Sequence, residues 1–146
     1  MNINIKHVNG KILFSHDCEN NTLIKTLEYA KVRGTDLRHA DLRYADLRDA
    51  NLRDANLRYA DLRYADLRYA DLRYADLIVL TLPRWTAYVQ IKTVRIGCQH
   101  HTHDQWMAFS DSDIDEMNPE ALAWWKQYGD LVKAAINSIQ FNREIK

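Results

Sequence analysis

Apolar and polar positions between Thr35 and Val79 recur with a period of five. Leucine stands at 37, 42, 47, 52, 57, 62, 67, 72 and 77, and alanine two positions earlier, with Thr35 in its place in the first unit. Asp or Asn lies between the two, and Arg follows the leucine in eight of the nine units. This spacing fits neither a helix nor the plain alternation of a strand. It marks a solenoid of short repeats. In extended backbone the Ala and Leu of one unit point to the same side, while Asp and Arg point outward. Stacked units then form the sides of a closed coil with a narrow Leu/Ala interior. Backbone groups are satisfied by the coils above and below, about 4.8 Å away.

The flanks follow other patterns. Residues 2–8 and 11–15 alternate loosely around Asn9-Gly10, a hairpin signal. Asn20 and Asn21 offer caps for a helix carrying Leu23, Ile24, Leu27 and Ala30, which Gly34 is placed to end. Tyr88 to Cys98 reads as a strand whose alternation slips one place between Ile91 and Val94. Thr102 with Gln105, and Ser110 with Asp113, have the spacing of capping boxes. Asn118-Pro119 is a third helix start, with proline at the first helical position. Beyond it Ala121, Trp125, Tyr128, Val132, Ala135 and Ile139 form an apolar stripe, widened by Trp124, Leu131 and Ile136. Such a stripe is expected to bury against the open coil, a second subunit, or both. Three segments result: a hairpin and helix cap at 1–34, the repeats at 35–87, and a strand and helical segment at 88–146.

The small residue, Asp or Asn, Leu and two variable positions of each unit resemble the pentapeptide-repeat family, specifically over 35–79 and more weakly over 25–34. The resemblance implies a mainly β fold, a right-handed quadrilateral β-helix with four pentapeptides per coil, capped at the N-terminus and followed by a strand and helices. The chain also looks like short phage and prophage members with a Trp-rich tail. C-terminal helices mediate dimerisation in characterised members, which makes Trp124, Trp125, Tyr128 and Val132 homodimer candidates.

Composition narrows the partners. The chain has 146 residues, 20 basic and 20 acidic, so its formal charge is zero and gives no global footprint for nucleic acid or an anionic membrane. Two cysteines fit a reducing cytoplasm, here that of a bacterial host cell. Neither a signal peptide nor a bilayer-spanning stretch is evident.

Outward residues carry the candidate chemistry. Residues twenty apart share a column in a four-sided coil, so Tyr59, Tyr64, Tyr69 and Tyr74 ring the coil, and of the tyrosines only Tyr44 and Tyr64 stack. A ring shields backbone better than it binds a partner. Nine Asp face eight Arg in the repeats, a self-neutralising surface. In the two units around Asn51 and Asn56 the carboxylate moves to the corner, as Asp49 and Asp54. This is repeat drift or a polar patch. The resemblance also implies mimicry of B-form DNA toward type II topoisomerases, which needs uncancelled carboxylate rows; the arginines depart from that pattern. A denser acidic stretch holds Asp111, Asp113, Asp115, Glu116 and Glu120, either serving helix dipoles or docking a basic protein. Cys98, His100, His101 and His103 suit Zn²⁺ chemically but match no finger spacing, and a Cys-His nucleophile lacks an orienting group.

The reading is of a non-enzymatic interaction scaffold without cofactor. It would inhibit or protect a bacterial nucleic-acid-handling protein, a topoisomerase or a defence nuclease such as a CRISPR effector, by occupying its nucleic-acid site. Asp111, Asp113, Asp115, Glu116 and Glu120 would contact the partner, with Asp49 and Asp54 second. The alternatives are a self-assembling dimeric module and a metal-binding protein.

Overall fold

In the computed structural model, which describes residues 1–144, the Asn9-Gly10 turn joins antiparallel strands β1 (Asn2–Lys6) and β2 (Ile12–Asp17). The register slips between Ile5 and Lys6. Helix α1 (Leu23–Val32) follows, capped by the Thr22 hydroxyl, which accepts from the Lys25 amide at 3.1 Å. Neither expected asparagine is the cap. Asn21 is buried and its amide donates to the carbonyls of Met1 and His16, tying the helix start to the hairpin. Gly34 ends the helix as the spacing predicts. At φ +67° it donates to Lys31 O while Thr35 N donates to Ala30 O, the paired bonds of a Schellman cap.

The repeats are held by a ladder between units four apart. Leu42, Leu47 and Leu52 donate to the carbonyls of Asp61, Asp66 and Asp71, and those three aspartates donate back to Ala40, Ala45 and Ala50. Parallel bridges accordingly join Asp41 to Asp61, Asp46 to Asp66 and Asn51 to Asp71. Each unit then turns through a bond from the alanine amide to the carbonyl of the preceding leucine, 3.0–3.2 Å in all eight turns from Leu37 to Ala75. The third residue of every one of these turns has positive φ: His39, Tyr44, Asp49, Asp54, Tyr59, Tyr64, Tyr69 and Tyr74, at 58–61°. That is the conformation a type II turn needs and that glycine or asparagine usually supplies. No corner in this stack is either.

Leu37, Leu42, Leu47, Leu52, Leu57 and Leu62 are buried, as are the alanines at 40, 45, 50, 55 and 60, whereas Leu67 and Leu72 at the far end are half-buried. The near edge is covered. Asp41 N donates to Lys6 O, Val8 N to His39 O, and Asn51 N to a Glu28 carboxylate oxygen of α1. The hairpin and helix thus supply acceptors where a preceding coil would stand. Met1–Asp76 forms one compact unit, and the chain from Leu77 forms a second.

The second unit is a meander of β3 (Leu77–Thr81), β4 (Thr86–Gln90), β5 (Thr93–Ile96) and β6 (Gln99–Thr102), all antiparallel in sequence order. The single strand expected from Tyr88 to Cys98 is two strands: Val89 faces Val94 and Ala87 faces Ile96, so the slipped alternation is a hairpin turn at Ile91-Lys92. The ninth repeat leucine, Leu77, opens β3 rather than another turn. Helices α2 (His103–Ala108) and α3 (Asp111–Met117) begin at Thr102 and Ser110, each with both bonds of a capping box. Before α4 (Ala121–Glu144) the Asn118 side chain accepts from Glu120 N, the bond of an N-cap, and Pro119 lies in the turn that leads into the helix. More described residues lie in helices than in the named strands, which form only two short antiparallel sheets. The expectation of a mainly β chain therefore overlooks how much helix follows the repeats.

The α4 stripe is consumed inside this unit. Trp124, Trp125, Val132, Ala135, Ile136 and Ile139 bury against Ala87, Val89, Val94 and Ile96 of the sheet and against Trp106 and Ile114, with Tyr128 partly buried beside them. A Cβ on Gly129 would lie 2.9 Å from the Trp125 ring, so glycine is what lets that indole fold back along its own helix. Leu131, expected in the stripe, is 52% exposed. Among the described residues no helix is long and apolar enough to cross a membrane.

Two substitutions should move stability in opposite directions. Leu52→Ala empties the repeat interior and should cost about 3 kcal/mol. Tyr69→Gly, at a corner that is 87% exposed, removes left-handed strain and should gain up to about 1 kcal/mol. Urea unfolding followed by far-UV circular dichroism checks both; a Tyr69→Gly chain clearly weaker than the parent would refute the strain assignment.

Candidate interaction surfaces

The outward faces of the repeats are built from local pairs. In the units led by Asp36, Asp41, Asp46, Asp61, Asp66 and Asp71, the carboxylate accepts from the backbone amide of the arginine two residues on and also grips its guanidinium. The charged contacts are 2.6 Å for Arg43, Arg48, Arg63, Arg68 and Arg73. A second rung adds weaker pairs, Arg43 with Asp61 at 3.9 Å and Arg48 with Asp66 at 3.7 Å. The Arg48 hydrogen bond draws the Asp46 carboxyl down to about 2, and Arg73 pulls Asp71 lower still. The Arg38, Arg43 and Arg68 side chains lower Asp36, Asp41 and Asp66 in the same way. Cancelled charge of this kind offers no phosphate-like row.

The Asn units break the pairing. Asn51 stands against α1, where Lys31 Nζ donates to its side-chain oxygen at 2.9 Å and Glu28 accepts from its amide at 2.8 Å. Arg53, whose unit has Asn rather than Asp between its Ala and Leu, lies 3.5 Å from Asp54 and over the Tyr74 ring. Arg58 reaches Asp76 at 3.0 Å. Asp49 is exposed and acts on Arg48 through space. Asp49 and Asp54 therefore occupy neighbouring corners without forming a cluster.

Tyr44 and Tyr64 stack, with centroids 5.0 Å apart, as the twenty-residue frame requires. The same frame holds a second aromatic column that the tyrosine pattern alone concealed: His39 stacks on Tyr59 at 5.0 Å, and His7 of the hairpin lies 5.2 Å from His39. Reading all corner residues rather than the tyrosines alone would have revealed it.

In the second unit the acidic candidates separate. Asp113 accepts from Ser110 N and Oγ, which lowers its pKa, and so serves the α3 cap. Asp111 pairs with Lys126 at 3.2 Å and Glu120 with Arg84 at 2.7 Å. Asp115 and Glu116 are exposed on α3 and make no hydrogen bond or ion pair among the described residues.

The Cys/His run is not brought together, and no group of three or more His, Cys, Asp or Glu among the described residues is arranged to hold a metal. His103 is buried with one ring nitrogen 2.8 Å from Gln90 O and the other 3.0 Å from the Gln140 amide. His101 packs edge-on to Trp106 and Phe109 and bonds Gln99. His100 lies 3.3 Å from Arg95, and Cys98 is an exposed thiol. Trp124, Trp125 and Val132 are buried largely within their own unit.

The family description Pentapeptide repeats matches residues 26–58 and 45–78, in eight copies. The repeat segment belongs to the pentapeptide-repeat family. No curated protein and no solved structure matches the chain. The pentapeptide-repeat match begins inside α1, where the buried Ala30 keeps the interior spacing although the backbone is helical.

The paired aspartates of the pentapeptide repeats set an acid limit. Their folded pKa values lie below the unfolded value of about 3.9, so their contribution is complete above that value and disappears as pH falls through the folded one. The urea midpoint should stay flat above about pH 4 and drop toward pH 2, and Asp46→Asn should flatten part of that drop. A midpoint insensitive to acid would contradict the pairing.

Proposed function

We propose that this chain is a non-enzymatic protein-interaction scaffold of the bacterial cytoplasm. Its repeats wind as a right-handed, four-sided β-helix. The twenty-residue bridges and a left-handed corner in each of eight turns support that geometry. The scaffold binds a basic, nucleic-acid-handling protein, a topoisomerase or a defence nuclease such as a CRISPR effector, and inhibits or protects it by occupying its nucleic-acid site.

The observation that carries this reading is a contrast in charge. Carboxylates between the Ala and Leu of the repeats are locked to arginines, whereas Asp115 and Glu116 of α3 are exposed and, among the described residues, unpaired beside Asp111 and Glu120, which pair with Lys126 and Arg84. Recognition of a basic partner therefore falls to the helical unit and not to mimicry by the repeat stack. Asp113 belongs to that surface in position, but its carboxylate caps α3. Asp49 and Asp54 form a secondary site at the corners. A homodimer is the rival reading, with Trp124, Trp125, Tyr128 and Val132 as its candidates.

The test is a chain carrying Asp111→Asn, Asp115→Asn, Glu116→Gln and Glu120→Gln, with Asp113 kept for the cap. Captured partners from bacterial lysate should be lost from this variant and released from the parent by high salt, while its circular dichroism stays that of the parent. Partners retained by the variant at low salt would defeat the proposal.

A further inference from the structure

We propose that a cavity in the second unit is the anchor site for one apolar side chain of a partner protein's basic segment. The inference deepens the proposed function and rests on its acidic surface. The cavity has a volume of about 70 Å³ and is lined by Trp85, Trp106, Trp124, Trp125, Ile114 and Met117. That is several times the ~10–15 Å³ that one water takes up in such a void, and the lining is mainly apolar. An apolar side chain is a better occupant than solvent.

The indoles are fixed in place. Trp106 Nε1 donates to Val94 O at 3.0 Å and Trp124 Nε1 to Pro83 O at 2.7 Å, so their polar edges are spent within the protein. Trp106 stacks on Trp125 at 5.2 Å, and Trp85 meets Trp124 edge-on at 5.7 Å. A Cβ on Gly97 would approach the Trp85 ring to 3.1 Å, so glycine there lets the ring lie close against the backbone. A rigid aromatic pocket loses little freedom on binding, and such pockets dominate interface energetics.

Charge chooses the flanks of the occupant. Helix α3 places Ile114 and Met117 in the lining and carries Asp111, Asp113, Asp115 and Glu116 on the same short helix. Glu120 falls between the lining residues Asn118 and Ala121. Among the described residues the neighbouring cations are engaged, Lys126 with Asp111 and Arg84 with Glu120, so Asp115 and Glu116 leave the helix that lines the cavity acidic and favour lysine or arginine in the occupant's flanks.

All four tryptophans of the chain line this cavity, so fluorescence excited selectively at tryptophan reports on it. The full chain is titrated with three blocked peptides: Lys-Lys-Leu-Lys-Lys, Lys-Lys-Ala-Lys-Lys and Glu-Glu-Leu-Glu-Glu. The lysine-flanked leucine peptide should give a saturable spectral change, with the alanine peptide weaker by about tenfold or more and the glutamate peptide weaker still. Equal responses to leucine and alanine overturn the anchor and leave the acidic surface standing. A leucine preference indifferent to flank charge keeps the anchor and removes the acidic surface. Ala121→Leu, which fills the cavity from its wall, should abolish the response without lowering the melting temperature. Alkylation of the exposed lining residue Cys98, in a Cys18→Ser background, should do the same. Unchanged titrations of both blocked forms overturn the proposal.

Discussion

The backbone ladder between units twenty residues apart is the constraint on which the repeat surface depends. Leu42 N reaches Asp61 O, and Asp61 N returns to Ala40 O, so one unit is bonded both ways to the unit four later. With those bonds made, the chain must turn within five residues, and the Leu-to-Ala bond closes each turn. The corner residue is then forced to positive φ whatever its side chain. Left-handed backbone costs an ordinary residue roughly 1–2 kcal/mol. Tyrosine, histidine and aspartate accept it here because the ladder and the buried leucines over-determine the turn.

That same closure decides the electrostatics. An aspartate fixed between the interior Ala and Leu has its carboxylate beside the amide of the following arginine, which it accepts from, and the guanidinium folds back onto it. Each pair is local and repeats with the backbone, so the rows of charge neutralise themselves on every side. Where the neighbourhood changes, the residue changes. Asn51 meets Glu28 and Lys31 of the capping helix and carries no charge, and its arginine turns to Asp54 and Tyr74.

What was legible in the sequence tracks what is local. Leucine and alanine at fixed spacing identify the interior because each unit contains its own inward pair. Thr102 and Ser110 announce α2 and α3 because a capping box is closed within four residues. Asn21 misleads because its bonds run to Met1 and His16, across the hairpin. The positive φ of the corners leaves no compositional mark, since tyrosine does not signal it as glycine would. The turn at Ile91-Lys92 shows only as a slipped alternation, without the Gly or Asn that names a tight hairpin. The α4 stripe was visible, but what covers it was not: Val89, Val94 and Ile96 lie on strands that a helical period cannot anticipate.

These differences reassign the work of the two units. On the repeat surface most charges are satisfied within a pentapeptide, and the ladder satisfies backbone groups within the stack. The second unit is unlike it in both respects. It concentrates every tryptophan of the chain around one void, and on α3 it holds two carboxylates, Asp115 and Glu116, that have no cation among the described residues. Apolar contact and uncompensated charge are the two terms from which specific protein binding is built, the first supplying affinity and the second orientation and rate. The helical unit carries both, the apolar lining and the carboxylates alternating along α3.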